Sequence, residues 1–198
     1  MKVVIATSNQ GKLKEFETLL APLNWQFYSL EDLGIDSPIE DGANFYENAL
    51  IKAKHAATIS GFPVIADDSG LCVDSLNGAP GIKSARYAGE NSSDADNNLK
   101  LLKSLKNETQ RNAAFVACLV FFDPTSNESP LSAEGRLEGE IARDSKGKDG
   151  FGYDPIFFIS DENKTLAELG KDYKNKNSHR AKATKILLEK LLKEKRCN

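Results

Sequence analysis

Histidine and cysteine are scarce in this 198-residue chain. There are two histidines, His55 and His179, and three cysteines, Cys72, Cys118 and Cys197, with no CxxC. That scarcity argues against a disulfide framework and against a zinc site. Cys72 and Cys118 lie inside apolar runs and read as core thiols, Cys197 as an inert thiol near a fraying end. The chain therefore reads as reduced and cytoplasmic. No apolar run approaches the ~20 residues of a membrane span. The segment from Met1 to Thr7 turns polar too early for a signal peptide. An excess of positive charge is missing as well: 26 basic against 29 acidic side chains leave a net charge of −3. That excludes a domain held to nucleic acid by charge alone. Internal repeats, low-complexity tracts and a clean linker are absent too, so residues 1–198 are expected to form a single domain.

What charge there is, is unevenly placed. Residues 171–198 hold ten Lys/Arg against three Asp/Glu. From Gln26 to Ile51 there is no Lys or Arg, yet six carboxylates: Glu31, Asp32, Asp36, Glu40, Asp41 and Glu47. One reading is a solvated acidic face beside a solvated basic helix; the other is an acidic metal pocket facing cations that hold an anionic substrate.

The chain alternates strand and helix patterns. Val3–Ala6 reads as a buried strand, Lys12–Leu20 as an amphipathic helix closed by Pro22. Asn44 caps a helix to Ser60, stopped by Gly61, with Phe45, Ala49, Ala53 and Ala56 on its buried stripe. Pro63–Ala66 is a strand that runs into the polar Asp67-Asp68-Ser69-Gly70, and Asn77–Gly89 a glycine-rich loop. A helix follows from Ser93 to Lys106. Ala113–Phe122 is a central strand, turned at Pro124–Asn127 into an antiparallel partner around Leu131–Ala142. Ile156–Ile159 is a further strand, Thr165–Leu169 a short helix and Lys176–Lys195 a final amphipathic one. The pattern predicts an α/β protein with a mixed sheet.

Four segments at strand ends have chemical potential. Thr7-Ser8-Asn9-Gln10-Gly11-Lys12 joins a strand to a helix, where backbone N–H groups suit a phosphate; an ordinary turn fits as well, and no P-loop pattern occurs. Glu40-Asp41-Gly42 and Asp67-Asp68-Ser69-Gly70 offer clustered carboxylates whose repulsion a hard cation such as Mg²⁺ would relieve; the alternative is a turn or cap aspartate. Gly147–Pro155 carries glycines that let a ligand approach, with Phe151 and Tyr153 available either to stack on a flat ring or to plug the core. Ser178-His179-Arg180 opens the last helix with donors that suit a purine edge or simply face solvent.

In order along the chain stand T-x-N-x-x-K-x-x-E (Thr7, Asn9, Lys12, Glu15), E-D-G (Glu40 to Gly42), F-x-E-N-A (Phe45 to Ala49) and A-D-D-S-G-L (Ala66 to Leu71). G-A-P-G-I-x-S-A-R-Y (Gly78 to Tyr87), G-F-G-Y-D-P-I-F (Gly150 to Phe157) and S-H-R (Ser178 to Arg180) follow. Seven motifs in this order resemble the ITP/XTP pyrophosphatase family, house-cleaning enzymes that hydrolyse inosine and xanthosine triphosphates. The resemblance runs from Val3 to the final helix, and Asp41 falls where the family varies.

The resemblance implies an elongated, two-lobed α/β molecule with a long mixed sheet flanked by helices, a ligand cleft between the lobes, and a cytoplasmic homodimer. It implies Mg²⁺-dependent hydrolysis of ITP, dITP and XTP to monophosphate and pyrophosphate. Thr7, Ser8, Asn9, Gln10, Gly11 and Lys12 would wrap the triphosphate, with Ser69 and Lys52 as further phosphate contacts. Glu40 and Asp68 would hold the metal, and Asp68 would also activate water; Glu15 is a secondary candidate. Phe151, Gly152, Tyr153 and Asp154 would wall the base pocket, with Lys174, His179 and Arg180 reading the base edge. Donors at the purine 6-oxygen would leave adenine, with its 6-amino group, mispaired at about 1–3 kcal/mol per contact. Guanine shares the 6-oxygen and must be refused at its 2-amino group. A nucleotide sensor without turnover is the alternative, disfavoured by Glu40 and Asp68. A pyrophosphatase for other modified nucleotides is another, disfavoured by S-H-R and G-F-G-Y-D.

Overall fold

A computed structural model describes residues 1–7 and 10–195, apart from the side chains of 10, 11, 194 and 195. Seven strands form one mixed sheet: β1 (Lys2–Ile5), β2 (Gln26–Ser29), β3 (Val64–Val73), β4 (Asn112–Phe122), β5 (Leu131–Ile141), β6 (Phe157–Ile159) and β7 (Lys164–Thr165), in the order β2-β1-β3-β4-β5-β6-β7. β1 lies parallel to both β2 and β3, whereas β6 is antiparallel to β5 and β7. The helices are α1 (Gln10–Leu19), α2 (Phe45–Ser60), α3 (Asp94–Ser104), α4 (Leu166–Asn177) and α5 (His179–Lys195). Among the described residues no helix is long and apolar enough to cross a membrane.

The chain divides into two compact units, one of Met1–Asp68, Ala117–Gly135 and Arg180–Asn198, the other of Ser69–Val116 and Arg136–His179. In the first, strand alternation builds two cores. Val3, Ile5, Ile65, Ala117 and Leu119 pack with Leu13 and Phe16 of α1 and Ala183, Leu187 and Leu191 of α5. The neighbouring positions Val4, Ala6, Val64, Ala66 and Val120 pack with Ala49, Ala53, Ala56 and Ala57 of α2. Successive strand residues face opposite sides, so α1 and α5 cover one face and α2 the other. The small alanines of α2 let it lie close to the sheet.

The second unit has its own core, in which Leu71, Phe115, Leu137, Ile141, Ile156, Phe157 and Leu166 meet Leu101 and Leu105 at the end of α3. α3 opens on a full capping box between Ser93 and Asp96. Arg111 is buried there and, among the described residues, pairs with no carboxylate. It donates instead to the carbonyls of Leu105, Ile141 and Ala142 at 2.6–2.9 Å, closing the C-terminal end of α3.

The structure differs from the sequence reading at four places. Asp67-Asp68-Ser69-Gly70 is not a loop after a strand: β3 runs unbroken through it, because the charges are met by side chains from flanking helices. β2 was not foreseen, since Gln26-Phe27-Tyr28-Ser29 is short and polar at both ends; pairing with β1 makes it a strand. The last helix begins at His179 rather than Lys176, because Ser178 is extended and ends α4, which itself breaks at Gly170 (φ 77°). Phe45 is only half-buried, and Asn48 takes a place on the buried side of α2.

Candidate active site

Asp67 and Asp68 are neighbours in β3, so the pleat sends them to opposite faces. Asp67 lies on the α1/α5 side, where its Oδ2 accepts from Arg180 Nε at 2.9 Å and from Lys12 Nζ at 3.2 Å. Arg180 also meets Glu15 at 3.6 Å. Asp67 and Arg180 are both buried. Burial alone would raise the Asp67 carboxyl, but Arg180, Lys12 and Lys52 outweigh it and hold the group well below the usual carboxylate range. The guanidinium is shifted upward by Asp67 and Glu15, against its own burial.

Asp68 lies on the α2 side. Its Oδ1 accepts from Lys52 Nζ at 3.0 Å and its Oδ2 from Asn48 Nδ2 at 3.2 Å. Asn48 and Lys52 are one helical turn apart and share a face. The same Lys52 ammonium lies 3.3 Å from Glu40 Oε2. Burial pushes the Asp68 carboxyl above its ordinary value, with Lys52 pulling the other way. Glu40 is delivered by a loop that packs onto the start of α2. Gly42 N–H donates to Asn48 Oδ1 at 2.8 Å, and a Cβ on Gly42 would sit 2.7 Å from that oxygen and 2.9 Å from the Asn48 backbone nitrogen. Glycine is required here by contact rather than by torsion. The repulsion expected between the adjacent aspartates is thus relieved by the pleat and by separate cations, not by a shared ion.

Among the described residues no group of three or more His, Cys, Asp or Glu side chains is placed to hold a metal. Glu40 and Asp68 nevertheless converge on one cationic atom, with oxygens only. That donor set suits Mg²⁺, which is bound by one or two carboxylates and takes its other ligands from water and phosphate.

The second unit assembles the aromatic segment. Phe151 is exposed, with Lys174 Nζ 4.2 Å from its ring centroid. Asp154 pairs with Lys174 and accepts the Phe151 N–H at 2.9 Å. Gly150 (φ 86°) passes so close that a Cβ would fall 2.2 Å from the Asp154 carboxylate. Two residues of α3, one turn apart, hold the next peptide: Asp94 accepts from Gly152 N–H at 2.6 Å, and Asn98 donates to its carbonyl at 3.0 Å. Tyr153 is buried in this unit's core and donates its hydroxyl to Ser84 O at 2.8 Å. Burial pushes its phenol far above the ordinary value. His179 stacks on Phe115, with centroids 5.0 Å apart and planes 13° from parallel.

Of the residues expected from the sequence, the first unit gathers Lys12, Glu15, Glu40, Lys52, Asp68 and Arg180, the second Phe151, Gly152, Tyr153, Asp154 and Lys174. Thr7 follows β1, where its carbonyl accepts from Leu30 N–H at 3.2 Å, and Ser69 lies half-buried within β3. Ser8, Asn9, all but the backbone of Gln10 and Gly11, and Cys197 lie outside the described residues. Sequence reasoning grouped Asp67 with Asp68 at a shared cation, and gave no site role to Asn48, Asp94 or Asn98. Parity along an unbroken strand would have separated Asp67 from Asp68, and the four-residue spacing of Asn48 and Lys52 was the signal for a shared partner.

The profile of the Ham1 family matches residues 3–190. A dITP/XTP pyrophosphatase of Haemophilus influenzae is 50% identical over 192 residues, covering 96% of this chain and 98% of that one. Among solved structures, a HAM1 protein from Coxiella burnetii superposes with a TM-score of 0.93 at 41% identity, covering 98% of this chain and 99% of that one. The Ham1 protein of Staphylococcus aureus gives 0.91 at 42% identity, covering 98% and 100%. The chain belongs to the Ham1 family.

Proposed function

We propose that this protein hydrolyses the non-standard purine nucleoside triphosphates ITP, dITP and XTP to the monophosphate and pyrophosphate, clearing them from the nucleotide pool. The observation that carries the reading is the convergence of Glu40 and Asp68 on one cation position beside the raised Asp68 carboxyl. The name borne by a relative of 50% identity supports it. Glu40 and Asp68 would hold Mg²⁺, which when bound supplies Lewis-acid polarisation of the phosphates and lowers the pKa of water. Asp68 takes the proton of the attacking water. The water oxygen joins the α-phosphorus, the α–β anhydride bond breaks, and pyrophosphate leaves. Thr7 through Lys12, Lys52 and Ser69 hold the phosphates, whose four negative charges near neutral pH call for several donors.

Phe151, with Gly152, Tyr153 and Asp154 behind it, forms the base wall. Phe151 supplies the exposed ring, and Tyr153 braces the loop from the core. Lys174, His179 and Arg180 would read the base edge, with His179 and Arg180 as donors to the 6-oxygen; the Arg180 guanidinium is anchored by Asp67 and Glu15. The scarcity of cysteine fits a cytoplasmic enzyme, and a homodimer belongs to the same proposal.

The test is Asp68→Asn assayed with ITP and Mg²⁺. Turnover should fall by about 10²–10⁴-fold, with binding of a non-hydrolysable ITP analogue near wild type at saturating Mg²⁺ and inosine monophosphate plus pyrophosphate as the wild-type products. Release of orthophosphate and a diphosphate, or undiminished turnover in the variant, contradicts the mechanism.

A further inference from the structure

We propose that Lys52 is a built-in counter-cation of the carboxylate pair, and that a divalent ion binds Glu40 and Asp68 only by displacing its ammonium. The inference rests on the assignment of Glu40 and Asp68 to the metal, and adds a role for Lys52 that a phosphate contact does not require.

The geometry is specific. Lys52 Nζ lies 3.0 Å from Asp68 Oδ1 and 3.3 Å from Glu40 Oε2, and its side chain is only 11% exposed. The second Asp68 oxygen is held by Asn48, so Oδ1 is the oxygen turned to the ammonium. Mg²⁺ needs carboxylate oxygens at about 2.1 Å. An ammonium kept at hydrogen-bond distance from the same two oxygens would then stand within a few ångströms of a doubly charged ion, in a part-buried place where water screens poorly. The two cations therefore compete. Lysine suits an exchangeable occupant: it is a point charge on a flexible four-carbon stem, without the fixed fork that ties arginine to a carboxylate.

Two consequences follow. The ammonium keeps Glu40 and Asp68 within reach of one another against their mutual repulsion, so the pair stays assembled. It also makes loading by a bare divalent ion weak, whereas a triphosphate gives the released ammonium a new anionic partner. Metal and nucleotide then favour each other's binding, by linkage.

Mn²⁺ alone is the probe, with affinity for the full chain read by electron paramagnetic resonance in the absence of nucleotide. Lys52→Gln should bind Mn²⁺ about tenfold or more tightly than wild type, the effect of removing one competing charge contact. Lys52→Arg, which keeps a cation, should bind no better than wild type. Lys52→Met repeats the neutral test with a different side chain, and melting curves establish that each variant is folded. Glu40→Gln separates the two failures. If it abolishes Mn²⁺ binding while Lys52→Gln and Lys52→Met bind as wild type or more weakly, the counter-cation role is wrong and the metal assignment stands. If Glu40→Gln leaves Mn²⁺ binding unchanged, the metal assignment itself fails, and this inference with it.

Discussion

Asp67 stays ionised in a buried setting because Arg180 and Lys12 stand against it at 2.9 and 3.2 Å. Removing one partner of such a pair leaves the other charge buried and uncompensated. Asp67→Asn should therefore destabilise the fold by about 3–5 kcal/mol, read as a lowered midpoint in urea. The pH dependence has a definite sign. The folded carboxyl ionises below its ordinary value of 3.8, so its contribution is complete above that value and is lost as the pH falls through the folded one. Wild type should lose stability on acidification below pH about 4, and Asp67→Asn should lack this share of the acid slope. Cys118 is the opposite case. Burial first, then Glu134, Asp67 and Asp68, push its thiol up to about 11, and the side chain is buried. At pH 8 it should resist iodoacetamide in the native protein and react once unfolded, as peptide mapping would show; rapid native alkylation would contradict its burial.

At the scale of elements, the start of α2 and the loop before it act as one piece. Asn44 caps the helix by accepting from Glu47 N–H, Glu47 reaches back to Ala43 N–H, and Gly42 lies against Asn48. Gly42→Ala forces a Cβ into that contact and should cost about 1–3 kcal/mol of stability. It should also raise the Mg²⁺ concentration needed for pyrophosphate release, because Glu40 moves with the loop. A melting shift with an unchanged Mg²⁺ dependence would detach Gly42 from the placement of Glu40. The caps at Asn44, Gly61 and Ser93 and the helices they bound were legible in the sequence because capping is local: donor, acceptor and stop lie within a turn. β2 and the polar half of β3 were not. Gln26–Ser29 is a strand by virtue of β1, and Asp67-Asp68 stays in a strand because Lys12, Lys52 and Arg180, each distant in sequence, neutralise it. The candidate site was legible in the same divided way. Motif order picked out Lys12, Glu40 and Asp68, and the resemblance it carried added Lys52 as a secondary candidate. The assignment of the two aspartates to opposite faces needed the pleat, and Asp94 and Asn98 needed α3 beside Gly152.

Across the whole molecule, the carboxylates of the proposed chemistry and the aromatic loop of the proposed base wall rest on different cores. In the first unit, the two faces packed by α1/α5 and by α2 fix the carboxylates and their cations. In the second, α3 and α4 fix Phe151, Asp154 and Lys174. These groups are proposed to serve the hydrolysis of purine triphosphates that carry a 6-oxygen and lack guanine's 2-amino group. The most direct test is pyrophosphate release with Mg²⁺ from ITP, XTP, GTP and ATP in parallel. Release is expected from ITP and XTP, with GTP and ATP slower by about tenfold or more. Equal release from all four would contradict the selectivity, and release from none, with tight binding retained, would contradict the enzyme.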